Sequence, residues 1–425
     1  MCKQLGEKMI NIIKGNIISA FEFGKIDIWE NGYLVSKDGV IEGIYQELPE
    51  EYTGLKIDDY TDKLVMQSFS DMHLHAPQYP MLGMGMDLQL IDWLNTHAFP
   101  LEAKYKDQEF ARKVYHELAR DLIENGTTRV AMFSSLHKEA TLILMEELEK
   151  AGICGYVGKV NMDRNSGVDL VESTEESISE TIDWIKKANF EHILPIITPR
   201  FTPSCTNELM EALGKIANDY HLPVQSHLSE NTAEIEWVKR LHPDCKEYIE
   251  TYLKYGLCNN KTLMAHCVFS SEDEQQIMLD NNVFVVHCPT SNQNIMSGFA
   301  PIKKMVQKGI NVLVGSDIAG GDYLSMFDNV AAVIRASKAR NILDSWETGF
   351  LTVEEAFYLA TSSANTFFGE KPGFAKGNKL HCLVLDDSKL ITDRPLSVKE
   401  RFERSIYIRE KNAIVGVYSD GRRVF

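Results

Sequence analysis

Eight short apolar runs alternate with longer amphipathic stretches along most of this 425-residue chain. The runs lie at residues 64–69, 129–134, 155–160, 193–198, 222–227, 263–267, 283–287 and 312–316. The stretches between them include 108–125, 172–187, 207–220, 272–280 and 326–338. Continuous apolar strands that alternate with helices predict a parallel sheet that is buried on both faces. Eight such units predict an α/β fold of the (β/α)8 TIM-barrel type, with an open doubly wound sheet as the alternative.

The two ends of the chain show a different pattern. Residues 10–60 and 380–425 contain short alternating apolar runs, and turn dipeptides such as Asn31-Gly32 and Asp38-Gly39 separate the first of them. We therefore expect both termini to build one small β-sandwich domain, from residues 1–65 plus 370–425, beside a barrel of residues 66–369.

Composition limits the partners of the protein. A formal net charge of −17 repels phosphate backbones and anionic lipids, which disfavours nucleic-acid and membrane-surface partners and favours a small-molecule substrate. The 8 cysteines contain no C-x-x-C pair, as expected for scattered thiols in a reducing compartment. The sequence has neither a signal-peptide layout nor an apolar run of membrane-spanning length, so we expect a cytoplasmic protein.

Side chains that can bind a metal follow four of the predicted strands. They are His73 and His75 after the first strand, His227 and Glu230 at the fifth, His266 at the sixth and Asp317 at the eighth. Because the carboxyl ends of the strands share one rim of a barrel, we expect these side chains to converge. Any one of them alone has a simpler structural explanation, but together the imidazoles and the carboxylate predict a site for a divalent metal.

The remaining histidines are weaker candidates. His287 also ends a predicted strand, and we keep a supporting or proton-transfer role for it as a minor alternative. The others lie in predicted helices, in loops or in the flanks, and we interpret them as structural or surface residues: His97, His116, His137, His192, His221, His242 and His381. The P-C-x-x-C motif of cytidine-deaminase-type zinc sites is missing from the sequence.

The predicted site suits hydrolysis. A divalent metal held by neutral imidazoles lowers the pKa of its bound water from about 15.7 to about 7, which supplies hydroxide at neutral pH. Asp317 is placed to accept the proton of the water, and Glu230 is placed to act as a second acid and base over the substrate. The alternative for Glu230 is a role at the start of the predicted helix 231–240, where an acid favours the helix dipole.

Six motifs spread over the predicted barrel resemble the amidohydrolase superfamily and, within it, the guanine deaminases. They are DMHLHAPQYP (71–80), DLQLIDWLNTHAFPLE (87–102), ITPRFTPSC (197–205), QSHLSEN (225–231), HCPTSNQNIMSG (287–298) and GSDIAGGDYLSMFD (315–328). The segment GNKLHCLVLDD departs from the usual pattern of the family, and this departure concerns the small domain rather than the site.

The resemblance implies a set of roles. It implies that one zinc ion per chain, with Fe²⁺ as another possible ion, is bound by His73, His75, His227, His266 and Asp317. It implies that guanine contacts Gln78, Arg200, Phe201, His227, Glu230 and Asp317. It implies that Glu230, Asp317 and His266 are catalytic.

The implied reaction converts guanine and water to xanthine and ammonia in purine catabolism, in a homodimer. Two-metal relatives carry a lysine near the end of the fourth strand, and the segment ILPIITPRFTPS has none, which favours a single ion. Two alternatives stay open. One is an amidohydrolase that deaminates a related purine, a pyrimidine, an adenosine-type compound or a triazine. The other is a non-catalytic scaffold.

Overall fold

The computed structural model describes residues 9–259 and 261–425. Residues 1–8, which include Cys2 and the start of the predicted small domain, lie outside the described residues. The strands are β1 (Ile10–Glu22), β2 (Lys25–Lys37), β3 (Val40–Tyr45), β4 (Asp58–Gln67), β5 (Phe69–His75), β6 (Thr127–Phe133), β7 (Cys154–Gly158), β8 (Val160–Asn161), β9 (Ile193–Pro195), β10 (Thr198–Pro199), β11 (Val224–Leu228), β12 (Thr262–His266), β13 (Phe284–His287), β14 (Asn311–Val314), β15 (Cys382–Leu385), β16 (Ile414–Ser419) and β17 (Arg422–Arg423).

The helices lie mainly between the strands of the central region. They are α1 (Leu90–Trp93), α2 (Phe99–Glu102), α3 (Gln108–Glu124), α4 (Lys138–Ala151), α5 (Thr174–Lys187), α6 (Asn207–Asp219), α7 (Thr232–Leu241), α8 (Glu250–Leu253), α9 (Glu272–Asp280), α10 (Pro289–Asn294), α11 (Ile302–Gln307), α12 (Met326–Leu343), α13 (Val353–Ala360), α14 (Ser362–Phe367) and α15 (Val398–Tyr407). The helices expected from periodicity are all present, with ends that differ by a few residues from the predicted ones.

The central strands form two parallel four-stranded sheets, in the orders β5-β6-β7-β9 and β11-β12-β13-β14. Backbone hydrogen bonds join the two sheets at both junctions. The amide of Gln225 donates to the carbonyl of Ile197 at 2.9 Å, and the amide of Asp317 donates to the carbonyl of His73 at 2.8 Å. An open doubly wound sheet lacks such closing bonds, and the arrangement matches the predicted TIM-type barrel.

Helix α3 shows how the sequence builds the outer layer of this barrel. The side chain of Asp107 accepts hydrogen bonds from the amides of Glu109 and Phe110 and so caps the first turn. The buried residues of α3 include Ala111, Tyr115, Leu118 and Leu122, at the three- and four-residue spacing of one helix face. That apolar face packs against the barrel and keeps the polar face of the helix toward solvent.

The first barrel strand is placed later in the chain than we predicted. Residues 64–67 belong to β4 of the terminal sheet, and the barrel begins with β5 at Phe69. The apolar pattern misplaced this strand because β5 carries buried polar residues, Asp71, His73 and His75, whose partners lie on other strands. The two histidines therefore belong to the strand itself and do not follow it.

The terminal strands form one seven-stranded sheet in the order β17-β16-β15-β4-β1-β2-β3. Both ends of the chain contribute to this sheet, as expected, but the described strands form one curled sheet where we predicted a sandwich of two. The amide of Leu380 donates to the carbonyl of Gly39 at 2.8 Å, which brings the turn between β2 and β3 against the segment before β15. Strand β4 extends to Gln67, past the predicted boundary at residue 65, and the division into 1–65 plus 370–425 and 66–369 stays a prediction.

Helix α15 lies within residues 380–425, a segment in which we expected short strands. The side chains of Ser397 and Glu400 form a capping box that starts this helix. Phe402 and Ile406, four residues apart, lie on its buried face, and the ring of Phe402 contacts that of Phe357 at a centroid distance of 5.0 Å. Helical spacing and a cap thus outweigh the β-branched composition of the segment.

The structure also bears on the state of the cysteines and on the length of the helices. The seven cysteines in the described part of the chain are free thiols. Within that same part, every helix is too short or too polar to span a bilayer.

Candidate active site

Four histidines and one aspartate meet at the carboxyl-terminal rim of the barrel. The Oδ1 atom of Asp317 lies 3.2 Å from Nε2 of His73 and 3.6 Å from Nε2 of His75. The Oδ2 atom of Asp317 lies 3.8 Å from Nε2 of His266, and the Nε2 atoms of His75 and His227 are 3.1 Å apart. The structure therefore brings together every residue predicted to bind the metal.

Strand geometry explains why these side chains converge. His73 and His75 lie two residues apart on β5, so both point to the same face of the strand, into the barrel. The backbone of β14 runs directly beside His73, because a Cβ atom on Gly315 would lie only 2.7 Å from Cβ of His73. A glycine at position 315 thus allows the close approach that carries Asp317 to the imidazoles.

The protonation of the cluster fits a bound cation. Burial lowers the pKa of His75 and His227 well below the usual range and lowers the pKa of His266 to about 4, so these rings are neutral at pH 7. The pKa of the Asp317 carboxyl is low because the neighbouring imidazoles outweigh its burial. Neutral imidazole nitrogens around an ionised carboxylate are the donor set of a divalent metal site.

Unpaired nitrogen atoms support the same interpretation. The Nε2 atoms of His73 and His266 are buried without a hydrogen-bond partner among the described residues. Buried polar atoms are nearly always paired in folded proteins, so such orphaned nitrogens call for a ligand. Ligand atoms of His73, His75 and His227 also lie within 4.8 Å of one another, a separation that one ion can bridge.

Hydrogen bonds on the far side of two rings fix their orientation. Nδ1 of His227 lies 2.6 Å from the carbonyl oxygen of Arg200, and Nδ1 of His266 lies 2.9 Å from Oδ1 of Asn292. Because both acceptors require a proton on Nδ1, the Nε2 atoms keep their lone pairs free toward the centre of the cluster. Asn292 was not identified from the sequence, although it lies within the HCPTSN motif.

Glu230 lies beside the cluster and in position to move a proton. Its Oε2 atom is 3.5 Å from Nε2 of His266, and its Oε1 atom is buried without a partner among the described residues. Burial, together with Glu234 and Asp317, raises the pKa of Glu230 well above its usual value. The cap of α7 is formed by Asn231 with Glu234, so Glu230 precedes the helix without capping it.

A cavity opens directly onto these groups. Its apolar walls include Leu90, Trp93, Leu94, Phe201 and Ile295. Its polar lining includes His75, Gln78, Arg200, His227, Glu230, His266 and Asp317. An apolar slot with a few convergent polar groups is typical of a small-molecule site, and the structure places the predicted substrate contacts in the same cavity as the metal cluster.

Glu102 was missed by the sequence reasoning. Its carboxylate accepts hydrogen bonds from both terminal nitrogens of Arg200, at 2.5 and 3.0 Å, and from Nε2 of Gln78 at 2.8 Å. Only 1% of Glu102 is exposed. The available signal was an acid in the otherwise apolar segment AFPLE of the 87–102 motif.

Two residues of the HCPTSN motif, His287 and Cys288, lie near the histidine cluster. His287 ends β13, does not line the cavity, and has a pKa that burial lowers to about 3. The thiol of Cys288 lies near His73 and His266, and burial raises its pKa well above the usual value. A proton-transfer role for His287 stays untested.

Residues 64–424 match the Amidohydrolase family. The chain belongs to this family, which confirms the resemblance inferred from its motifs.

Within the family, the chain is similar to several guanine deaminases. The guanine deaminase of Dictyostelium discoideum is 34% identical over 98% of this chain and 98% of its own length. That of Mus musculus is 36% identical over 84% of this chain and 82% of its own. The crystal structure of a guanine deaminase from C. acetobutylicum, with guanine bound in the active site, is 44% identical, has a TM-score of 0.96, and covers 98% of this chain and 100% of that chain.

Proposed function

We propose that this protein is a guanine deaminase, which converts guanine and water to xanthine and ammonia. The observation that carries the proposal is a single cavity in which Arg200 and Gln78 face the same space as Glu230, Asp317 and the imidazoles. The similarity to guanine deaminases over nearly the whole chain supports the choice of substrate.

The cavity suits a flat purine with a carbonyl edge. The guanidinium of Arg200 is a fixed donor for a ring carbonyl oxygen, and the amide of Gln78 can both donate and accept at a ring edge. The rings of Phe201 and Trp93 supply apolar surface for the faces of the purine. We therefore assign guanine recognition to Gln78, Arg200 and Phe201.

The donor set of the site suits one divalent ion, which we propose to be zinc, with Fe²⁺ as the other ion of matching ligand preference. His73, His75, His227, His266 and Asp317 would hold this ion. When bound, such an ion supplies a nucleophile at neutral pH by lowering the pKa of water to about 7.

Two carboxyl groups of opposite protonation state move the protons. The carboxylate of Asp317 is ionised and accepts a proton from the attacking water. Glu230, whose pKa burial raises well above its usual value, donates its proton to a ring nitrogen. Its carboxylate then takes the second proton of the attacking water and passes it to the departing amine, and the proton held by Asp317 returns to Glu230. The ring of His266 lies between both acids, where it would hold the ion beside them. In the balanced reaction a carbon–oxygen bond forms from water, the carbon–nitrogen bond of the amino group breaks, and ammonia leaves.

A panel of bases tests the choice of substrate. Ammonia release is measured with guanine, adenine, adenosine, cytosine and an aminotriazine. We expect guanine to exceed every other ring by about a hundredfold or more in kcat/KM. Arg200 and Gln78 would lose their partners with rings that lack a carbonyl, and cytosine, which has one, lacks the second ring of a purine. An inert guanine beside a productive competitor would show that the protein acts on a related ring instead.

A substitution at Asp317 separates an enzyme from a scaffold. Asp317→Asn keeps the shape of the side chain but removes the ionised carboxylate, so we expect turnover to fall below detection. A scaffold would keep its partner binding and would show no turnover with or without the substitution.

We also propose that the protein acts in the cytoplasm, in purine catabolism, as a homodimer. The acidic surface and the scattered thiols support a soluble protein of a reducing compartment. Sedimentation at micromolar concentration tests the dimer.

A further inference from the structure

Glu102 has no surface in the substrate cavity, although it contacts two residues that line the cavity. Glu102 is absent from the lining, and its two partners, Gln78 and Arg200, are present in it. All three side chains are buried, with exposed fractions of 1%, 1% and 3% for Glu102, Gln78 and Arg200. The carboxylate therefore affects a bound ligand only through these two partners.

The first effect of Glu102 is on orientation. The side-chain amide of Gln78 is held at both ends, because its Nε2 donates to Glu102 at 2.8 Å and its Oε1 accepts from the amide of Ala319 at 3.0 Å. A carboxylate can only accept and a backbone amide can only donate, so the amide cannot flip. The guanidinium of Arg200 is held in the same way by two hydrogen bonds from different nitrogens.

The second effect of Glu102 is on charge. The guanidinium of Arg200 is always protonated, and in a buried position it would attract any anion in the cavity. The carboxylate of Glu102, 2.5 Å away, neutralises that charge while leaving other N–H donors of Arg200 free. The pair thus presents hydrogen-bond donors without a net positive charge.

We propose that Glu102 is a positioning residue that makes this cavity selective for the neutral substrate over the anionic product. The inference rests on the proposed function. Deamination replaces an amino group of the ring by a second carbonyl, and ring N–H groups beside carbonyls ionise more readily. An Arg200 without its carboxylate would hold the anion of xanthine, whereas the neutral pair binds guanine and releases the product.

Glu102→Gln tests both effects with a side chain of the same shape. We expect the KM for guanine to rise about tenfold or more with a smaller change in kcat, because the holoenzyme keeps its metal and its acids. We also compare the inhibition constant of xanthine for Glu102→Gln with that for the unsubstituted protein. The ratio of the first to the second should fall as the pH rises from 6 to 8.5, because more of the xanthine is then an anion. An unchanged KM together with an unchanged ratio of inhibition constants would overturn the proposal.

Two further variants separate the effects from a general loss of stability. Glu172→Gln is the matched control, because Glu172 is also buried and pairs with Lys159 at 2.8 Å, away from the cavity. We expect it to lower stability without changing the KM or the inhibition by xanthine. Glu102→Asp keeps the charge but shortens the reach, so the KM should rise while the pH trend of xanthine inhibition stays that of the unsubstituted protein.

The Glu102→Asp variant also decides the matter if Glu102→Gln does not fold, because an unchanged KM in the Asp variant would contradict the positioning role. Failure of this inference differs from failure of the proposed function. If the unsubstituted protein forms xanthine but the Glu102 variants behave like Glu172→Gln, only the inference is wrong. If the unsubstituted protein forms no xanthine from guanine, both are wrong.

Discussion

At the scale of single residues, burial sets the protonation of the groups around the histidine cluster. Burial keeps the rings of His75 and His227 neutral, and it keeps Glu230 protonated. Asp317 is equally buried but stays ionised, because three imidazoles lie within 4 Å of its oxygens. The proposed acid and base of the reaction therefore differ through their surroundings, although both are carboxyl groups.

The first prediction concerns Glu230. Glu230→Gln keeps the size of the side chain but cannot transfer a proton, so kcat should fall by about a hundredfold to ten-thousandfold with a small change in KM. Steady-state kinetics with guanine measure both constants, and metal analysis confirms that the site is still loaded. A kcat within twofold of the unsubstituted value would exclude Glu230 as the acid.

A residue of the site can be predicted from the sequence when the secondary structure alone determines its position. The convergence of the proposed metal ligands was predictable because each lies at the end of a strand, and strand ends share one rim. Glu102 and Asn292 were not, because each acts through partners that lie far away in the sequence or on another strand. Glu102 pairs with Arg200 across 98 positions of the chain, and no local spacing reports such a contact.

At the scale of elements, β5 and β14 must approach closely for the site to form. A Cβ atom at position 315 would meet the Cβ and carbonyl oxygen of His73 at 2.7 and 2.8 Å. Gly315→Ala should therefore push the strands apart, at a cost of about 1–3 kcal/mol, and weaken metal retention at least severalfold. Metal content after dialysis and the melting temperature measure the two effects.

Gly167→Ala is the control for this prediction. A Cβ atom there would meet nothing closer than Cβ of Phe99 at 3.9 Å, so stability and metal content should stay unchanged. Equal behaviour of the Gly315 and Gly167 variants would show that the close approach is not required.

The contact between β6 and the terminal sheet predicts acid sensitivity. Nδ1 of His381 lies 3.2 Å from Oγ1 of Thr128, and burial lowers the pKa of His381 well below its unfolded value of 6.5. The unfolded chain binds more protons below pH 6.5, so this histidine makes the free energy of unfolding fall as the pH drops through that value. Between pH 7.5 and 5.5, His381 accounts for a decrease of about 1.4 kcal/mol in the free energy of unfolding.

His381→Asn should therefore show a smaller loss of stability between pH 7.5 and 5.5, measured by urea unfolding. His221→Asn is the control, because His221 is exposed and has a positive φ of 53°, which asparagine tolerates. Identical pH dependence in the His381 and His221 variants would contradict the prediction.

Elements were predicted best where one face is uniformly apolar. The barrel strands after the first, and the amphipathic helices, lie within a few residues of their expected positions. The two elements that were predicted wrongly are β5 and α15, and in both of them two local sequence patterns compete. Strand β5 is interrupted by buried polar residues of the site, and α15 carries β-branched residues behind a strong capping box.

At the scale of the whole molecule, the cluster joins distant parts of the barrel. Its ligands lie on β5, β11 and β12 and directly after β14, so one ion would connect both four-stranded sheets. Removal of the metal should lower the melting temperature by about 5 to 10 °C without loss of helical content, since the hydrophobic core remains. Thermal melts followed by circular dichroism, with and without chelator, measure this shift. His75→Gln should melt at one temperature under both conditions.

The central claim is that four imidazoles and one aspartate form a single metal site that activates water for guanine deamination. The most direct measurement is a titration of the metal-free protein with Zn²⁺, followed by the rate of xanthine formation from guanine. We expect no activity without metal and a linear rise that stops at one ion per chain. A rate that is independent of metal, or a rise that continues to two ions per chain, would contradict it.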